Sequence, residues 1–244
     1  MTTRFHVGAK SLKGALSSYA KRFDALEVHL ASTKGEGKLK GATLRRYRAD
    51  VPPHFDFVVV APPALAALKG GEAFEAALEE TLAAIAALQA RVVLLSTPTE
   101  VTPAQVWRDR IAKLVARLPT DATQVVWEPH GLWETDEAAR AAKRLGVVLC
   151  VDAARDPVPA GPVAYVRLPQ IGAARAYSES SLERVVDSIG ERREAYVFIE
   201  TTSALKECKA LRKLTMGRSK KVGGGALVLR PKTAALRVRD DEQE

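Results

Sequence analysis

The chain has 244 residues, 47% hydrophobic and 27% charged, with a net charge of +8. That size suits one domain with a large core, and no apolar run approaches the ~18 residues of a membrane helix. The two cysteines, Cys150 and Cys208, exclude a disulfide framework or a zinc ribbon. The opening Met1-Thr2-Thr3-Arg4-Phe5-His6 lacks the apolar core of a secretory signal, so a reducing, cytoplasmic setting and no membrane partner are expected.

In chain order, residues 4–9 form a first apolar run. Residues 11–23 carry Leu12, Leu16, Tyr19 and Phe23 at helical spacing. Residues 25–30 alternate, with Glu27 and His29 on one side and Leu26, Val28 and Leu30 on the other, which is strand periodicity. A Gly/Lys-rich loop follows, then a short basic helix ended by Pro52-Pro53. Residues 57–61 are the third run. Residues 72–90 form a long helix of good helix formers.

Residues 91–97 are the fourth strand. Thr102-Pro103-Ala104-Gln105 predicts a helix start with Thr102 as N-cap, running to about Leu118. Residues 124–130 are the fifth strand. A helix opened by Thr135-Asp136-Glu137 ends at Gly146. Residues 147–153 are the sixth strand, and a Pro-rich link with little room for helix leads to the seventh, 164–169. A helix over 180–189, the eighth strand over 195–201 and a last helix ending near Leu214 complete the pattern.

Eight short strands alternating with helices predict a parallel sheet with right-handed crossovers. Eight such repeats in about 210 residues match a (β/α)8 barrel. The rival, a doubly wound open sheet, lacks support because no Gly-rich nucleotide turn follows any strand. The predicted division is a barrel over 1–214 and a basic, partly flexible extension over 215–244.

In such barrels the working face lies at the C-terminal strand ends. The last polar residues there are Glu27 and His29, Glu128 and His130, Asp152, Arg167 and Glu200. Their parity is opposite to the apolar faces of their strands, so they are expected to share a pocket. Three chemistries fit. His29, His130 and Asp152 could bind a divalent metal that activates water. Glu27 and Glu128 could serve as general acid and base. Arg167 could clamp a phosphate or carboxylate while Trp133 or Tyr165 stacks on a ring. The alternative is a set of charges that only satisfy one another, with Arg167 pairing to Asp152 or Glu200. Trp127 and Cys150 read as core, and His6 and His54 carry no signal.

These strand ends resemble the YecE-like family of uncharacterised barrel proteins, a domain of unknown function, over about residues 4–214. Glu27-Val28, Trp127-Glu128-Pro129, Gly131, Trp133, Val151-Asp152, Ala164-Tyr165, Arg167-Leu168 and Tyr196-Val197-Phe198 match the family's segments. His29, His130, Pro169 and Glu200-Thr201 depart from them. The resemblance implies a closed or nearly closed barrel and no established activity. It also implies likeness to metal-dependent sugar-isomerase and apurinic-endonuclease barrels, and so to sugar or phosphodiester chemistry.

Charge is uneven along the chain. Residues 1–48 carry a net +8, residues 49–205 a net −6, residues 206–239 a net +10, and residues 240–244 a net −4. The two basic ends should meet where the barrel closes, so nucleic acid or another polyanion is an expected partner. The anion-binding candidates are Lys34, Lys38 and Lys40 in the loop after the second strand, and Arg218, Lys220 and Lys221 in the extension. Three readings follow: a hydrolase or phosphodiesterase-like enzyme acting on a phosphorylated or sugar-containing substrate, a non-catalytic nucleic-acid-binding barrel, and a degenerate barrel kept as a scaffold.

Overall fold

The computed structural model describes residues 3–12, 14–30, 39–170 and 176–223, with 217–223 as backbone only. Its elements are β1 (Arg4–Ala9), α1 (Leu16–Ala20), β2 (Ala25–His29), α2 (Gly41–Ala49), β3 (Asp56–Val60), α3 (Pro63–Ala66), α4 (Glu72–Leu88), β4 (Val92–Thr97), α5 (Gln105–Val115), β5 (Gln124–Pro129), α6 (Thr135–Leu145), β6 (Val148–Val151), β7 (Val163–Leu168), α7 (Glu179–Ile189), β8 (Glu194–Ile199) and α8 (Ala204–Gly223). No helix among the described residues is long and apolar enough to cross a membrane.

The eight strands make one parallel sheet in the order β1-β8-β7-β6-β5-β4-β3-β2. This is the expected TIM-type barrel, nearly closed. The first and last strands in that order, β1 and β2, lie side by side without forming a ladder among the described residues. The phenol of Tyr19 bridges them instead. Its oxygen accepts from the Ala9 amide at 2.7 Å and donates to the Ala25 carbonyl at 3.1 Å. Gly8 permits the close approach, because a Cβ there would lie 2.2 Å from the Ala25 oxygen.

Strand alternation divides the core in two. Outward residues such as Leu26, Val28, Val59, Leu95, Trp127, Val166 and Val197 pack under the helices. Inward residues including Ala25, Val58, Leu94, Val126, Cys150, Tyr165, Tyr196 and Phe198 fill the barrel. Trp127 and Cys150 are therefore core, as their neighbours in sequence suggest. Below this filling sits a polar floor. Asp56 accepts from His6 at 2.8 Å, from Tyr196 at 3.2 Å, and from Arg91 Nε at 2.9 Å. His6, which has no signal in the sequence, is thus a buried structural group stacked on Tyr196.

Several boundaries differ from the sequence expectation. The first helix starts at Leu16, not residue 11, because Gly14 takes a positive φ of 82° just before it. Helix α5 starts at Gln105 behind Ala104, and Thr102 makes no cap. Helix α7 starts at Glu179, with Ser178 accepting from the Ser181 amide. Gly146 does end α6, in the left-handed conformation. Helix α8 continues to Gly223, beyond the expected end near Leu214.

Candidate active site at the barrel mouth

The site is built upward from a buried ion pair. Glu27 on β2 and Arg167 on β7 both point inward, and both are almost fully buried. Arg167 donates from Nε to Glu27 Oε1 at 2.9 Å and from Nη2 to Oε2 at 2.7 Å. Tyr165, two residues earlier on the same face, donates to Oε1 at 2.6 Å. Arg167 Nη1 then donates to Glu128 Oε2 at 2.7 Å, and Nε lies 3.6 Å from Glu200 Oε1. Burial pulls the Arg167 pKa down, but the charges and hydrogen bonds of Glu27 and the charge of Glu128 outweigh it, so the guanidinium stays charged.

Above Glu128 stands His130. The chain turns at Gly131, where φ is 84° and a Cβ would lie 2.9 Å from the Thr99 backbone. That turn sets the imidazole over Ser96, the inward residue near the end of β4. Ser96 Oγ donates to Glu128 Oε2 at 2.7 Å and lies 3.0 Å from His130 Nε2. The same nitrogen is 3.6 Å from Glu128 Oε2. In a nucleophilic triad the acid and the serine face opposite ring nitrogens. Here both face Nε2, so Ser96 is a bridging hydroxyl and not an activated nucleophile.

Electrostatics separate the ionisable groups. Burial raises the Glu128 pKa, but His130, Arg167 and Ser96 outweigh it and hold the carboxyl at about 2. The Glu128 carboxylate, 3.6 Å from Nε2, lifts the His130 pKa above its ordinary value. His29, 4.0 Å from Glu27 Oε2, is pushed down to about 4 by burial and by the charges of Arg167 and Lys10. At neutral pH His29 is therefore uncharged.

The pocket over these groups has a volume of about 420 Å³ and is lined by Lys10, Ser96, Glu128, His130, Trp133, Asp152, Arg167 and Glu200 among others. Lys10 Nζ pairs with Glu200 Oε2 at 2.9 Å. Asp152 accepts from the Ala154 amide at 3.0 Å, and burial raises its carboxyl pKa. Trp133 donates to the Val101 carbonyl at 2.6 Å, while Arg108 covers its ring at 5.4 Å.

Of the expected strand-end set, Glu128, His130, Asp152, Arg167 and Glu200 line this pocket, whereas Glu27 and His29 do not. Glu27 lies beneath the pocket with its side chain fully enclosed, so it holds Arg167 and does not meet a ligand as an acid–base group. Tyr165 is also fully buried and is absent from the pocket wall, which corrects its reading as a stacking ring. Arg167 pairs with Glu27 and Glu128 and also with Glu200, as one expected alternative had it, but not with Asp152, and its donors are largely spent on carboxylates. The set His29, His130 and Asp152 does not assemble as metal ligands. Among the described residues no three His, Cys, Asp or Glu side chains are grouped to hold a metal ion. The guanidinium already occupies the carboxylates a cation would need. Lys40 is exposed in front of α2. Lys34 and Lys38, and the side chains of Arg218, Lys220 and Lys221, lie outside the described residues.

Ser96 and Lys10 are site residues that the sequence reading missed. Parity could have found both. Ser96 lies two residues after the inward Leu94, and Lys10 lies two after Gly8, whose missing Cβ would touch the inward Phe198.

The family profile described as protein of unknown function DUF72 matches residues 4–232. The chain belongs to the DUF72 family. A DUF72 protein from Thermotoga maritima is 17% identical, with a TM-score of 0.69 over 87% of this chain and 99% of that one. A xylose isomerase domain-containing protein from Salmonella typhimurium is 16% identical, with a TM-score of 0.58 over 90% and 97%. An AP endonuclease of family 2 from Brucella melitensis is 14% identical, with a TM-score of 0.58 over 88% and 99%. At these identities the likeness is one of fold. No curated protein is detectably similar in sequence.

Proposed function

We propose that this DUF72 barrel is a hydrolase for a sugar-containing substrate, with His130 as the general acid. The observation that carries this reading is the His130 imidazole at the pocket rim, hydrogen-bonded to Ser96 and backed by the ionised Glu128. A histidine whose pKa is raised keeps its proton to higher pH and can deliver it to a leaving oxygen. Arg167 and Glu27 act beneath it as positioning residues that fix Glu128.

The charge balance favours sugar over phosphate. Glu128, Asp152, Asp156 and Glu200 line the pocket against Lys10 and Arg167, and both cations are already paired. Glycosidic cleavage develops positive charge on the sugar ring, which carboxylates stabilise. Phosphoryl transfer spreads negative charge over its oxygens and needs free cations. Trp133 supplies an apolar wall at the same pocket.

The test is a screen of chromogenic glycosides and phosphodiesters with the native protein, His130→Ala and Glu128→Gln. Cleavage of one glycoside that falls at least ~100-fold in His130→Ala supports the reading. A substrate cleaved equally well by His130→Ala, or turnover confined to phosphodiesters, overturns it.

A further inference from the structure

The Glu128 carboxylate is loaded on one side. Its Oε2 accepts from Ser96 Oγ and from Arg167 Nη1, each at 2.7 Å, and His130 Nε2 lies 3.6 Å away. Among the described residues Oε1 meets only the Cys150 thiol, at 3.8 Å. Burial raises that thiol, so it stays protonated and is a weak donor. Glu128 and Cys150 both line the mouth pocket. One oxygen thus anchors the side chain, and the other keeps its lone pairs for an incoming atom.

The other carboxylates of the pocket wall do not combine these properties. Glu200 is divided, with Oε2 on Lys10 at 2.9 Å and Oε1 3.6 Å from Arg167. Asp152 spends Oδ1 on the Ala154 amide, and its Oδ2 is buried out of reach. Asp156 accepts from the Thr135 hydroxyl at 3.0 Å and has no ion pair among the described residues.

His130 is arranged to match. Ser96 has one hydroxyl proton and gives it to Glu128, so its oxygen accepts from His130 Nε2 at 3.0 Å. The second proton of the imidazolium is therefore on Nδ1, which has no partner among the described residues, and the side chain is 50% exposed. Losing that proton leaves a neutral ring whose remaining proton Ser96 holds.

We propose, on the glycoside-hydrolase reading above, that Glu128 Oε1 is the nucleophile of a double displacement, with His130 Nδ1 carrying the proton. In the first step Oε1 bonds to the anomeric carbon. The bond to the leaving oxygen breaks with its electron pair, and Nδ1 gives that oxygen its proton. In the second step water attacks the same carbon and passes a proton to Nδ1, while the Glu128 ester bond breaks and restores the carboxylate. Two inversions release a sugar of retained anomeric configuration. The donors on Oε2 stabilise the departing carboxylate.

The test is incubation of the full-length protein with the 2-deoxy-2-fluoroglycosyl fluorides of glucose, galactose, mannose and xylose, followed by intact and peptide mass spectrometry. Fluoride departs without an acid, and fluorine at C2 slows the second step, so the ester accumulates. The expected product is a mass gain of one deoxyfluoro sugar mapped to Glu128. It should form in native and His130→Ala proteins alike and be absent from Glu128→Gln. NMR of a glycoside digest, recorded before the anomers equilibrate, should show the retained anomer first. An inverted product overturns the double displacement and leaves His130 as the acid. A label on another residue, or no label on a protein that cleaves glycosides, overturns it too. With Glu128 labelled, unimpaired glycoside turnover by His130→Ala overturns the acid and not the nucleophile. Neither label nor cleavage by the native protein overturns both.

Discussion

Arg167 meets Glu27 side-on, with Nε and Nη2 bonded to different carboxylate oxygens at 2.9 and 2.7 Å. The two strands that carry them are not neighbours, so the pair spans the barrel interior. Buried this deeply, each charge depends on the other.

Removing one partner is therefore worse than removing both. Arg167→Met is expected to cost about 3–5 kcal/mol, because it leaves Glu27 buried and unpaired. In Glu27→Leu/Arg167→Met the loss should be clearly smaller than the sum of the single losses. Urea denaturation of the four proteins in the cycle measures this, and simple additivity would show that the pair is not coupled.

The two histidines of the mouth should titrate apart. His130 is raised by Glu128, whereas His29 is held down at about 4. In an NMR titration, the His29 ring signal stays in its neutral position from pH 8 to about 5, while His130 protonates at a pH above its ordinary value of about 6.5. Glu128→Gln lowers the His130 midpoint. The sign follows from linkage: stability from a raised histidine is present below its unfolded pKa and is lost as pH rises through the folded one. A His130 midpoint that does not move in Glu128→Gln would remove the dyad.

The polar floor predicts acid sensitivity. Burial pushes the Asp56 carboxyl up, but His6 and Arg91 outweigh it and hold it at about 2. A depressed carboxyl contributes stability above its unfolded pKa of about 4 and loses it as pH falls toward about 2. The contribution is on the order of 1–2 kcal/mol. Asp56→Asn should lose that part of the stability at pH 7 and flatten the stability-versus-pH curve over this window. Chemical denaturation at stepped pH reads both effects.

At the seam, Tyr19→Phe leaves the Ala9 amide and the Ala25 carbonyl without their shared partner. Buried groups left unpaired this way cost about 2 kcal/mol. Hydrogen exchange should show the Ala9 amide exchanging faster than its neighbours in β1. Protection equal to wild type would mean that the phenol is not what closes the barrel.

The barrel was legible because alternation fixes which face of each strand is apolar, and eight alternating strand–helix units leave few topologies. Parity also pointed Glu27, His29, Glu128, Arg167 and Glu200 inward. It does not give height along the barrel axis, which the stagger of the strands sets. For that reason Glu27 and Glu128 looked equivalent, although one is sealed below Arg167 and the other lines the pocket. Tyr19 was legible only as an apolar helix residue. Its role depends on two backbone segments meeting at a seam that no local pattern encodes. The last helix was expected to end near Leu214 because the basic stretch after it carries no apolar periodicity, yet α8 runs to Gly223.

The pairing of β1 has a consequence for synthesis. Its ladder partner is β8, with Arg4 opposite Glu194 and Ala9 opposite Ile199. β1 is thus made well before the strand it pairs with, and finds its place only after the seven other strands have been synthesised. While the intervening chain is made, a tract containing Phe5 and Val7 waits with its backbone edge unpaired, the state most open to chaperone capture or misassociation. Truncated products ending before Glu194 would carry that exposed edge permanently.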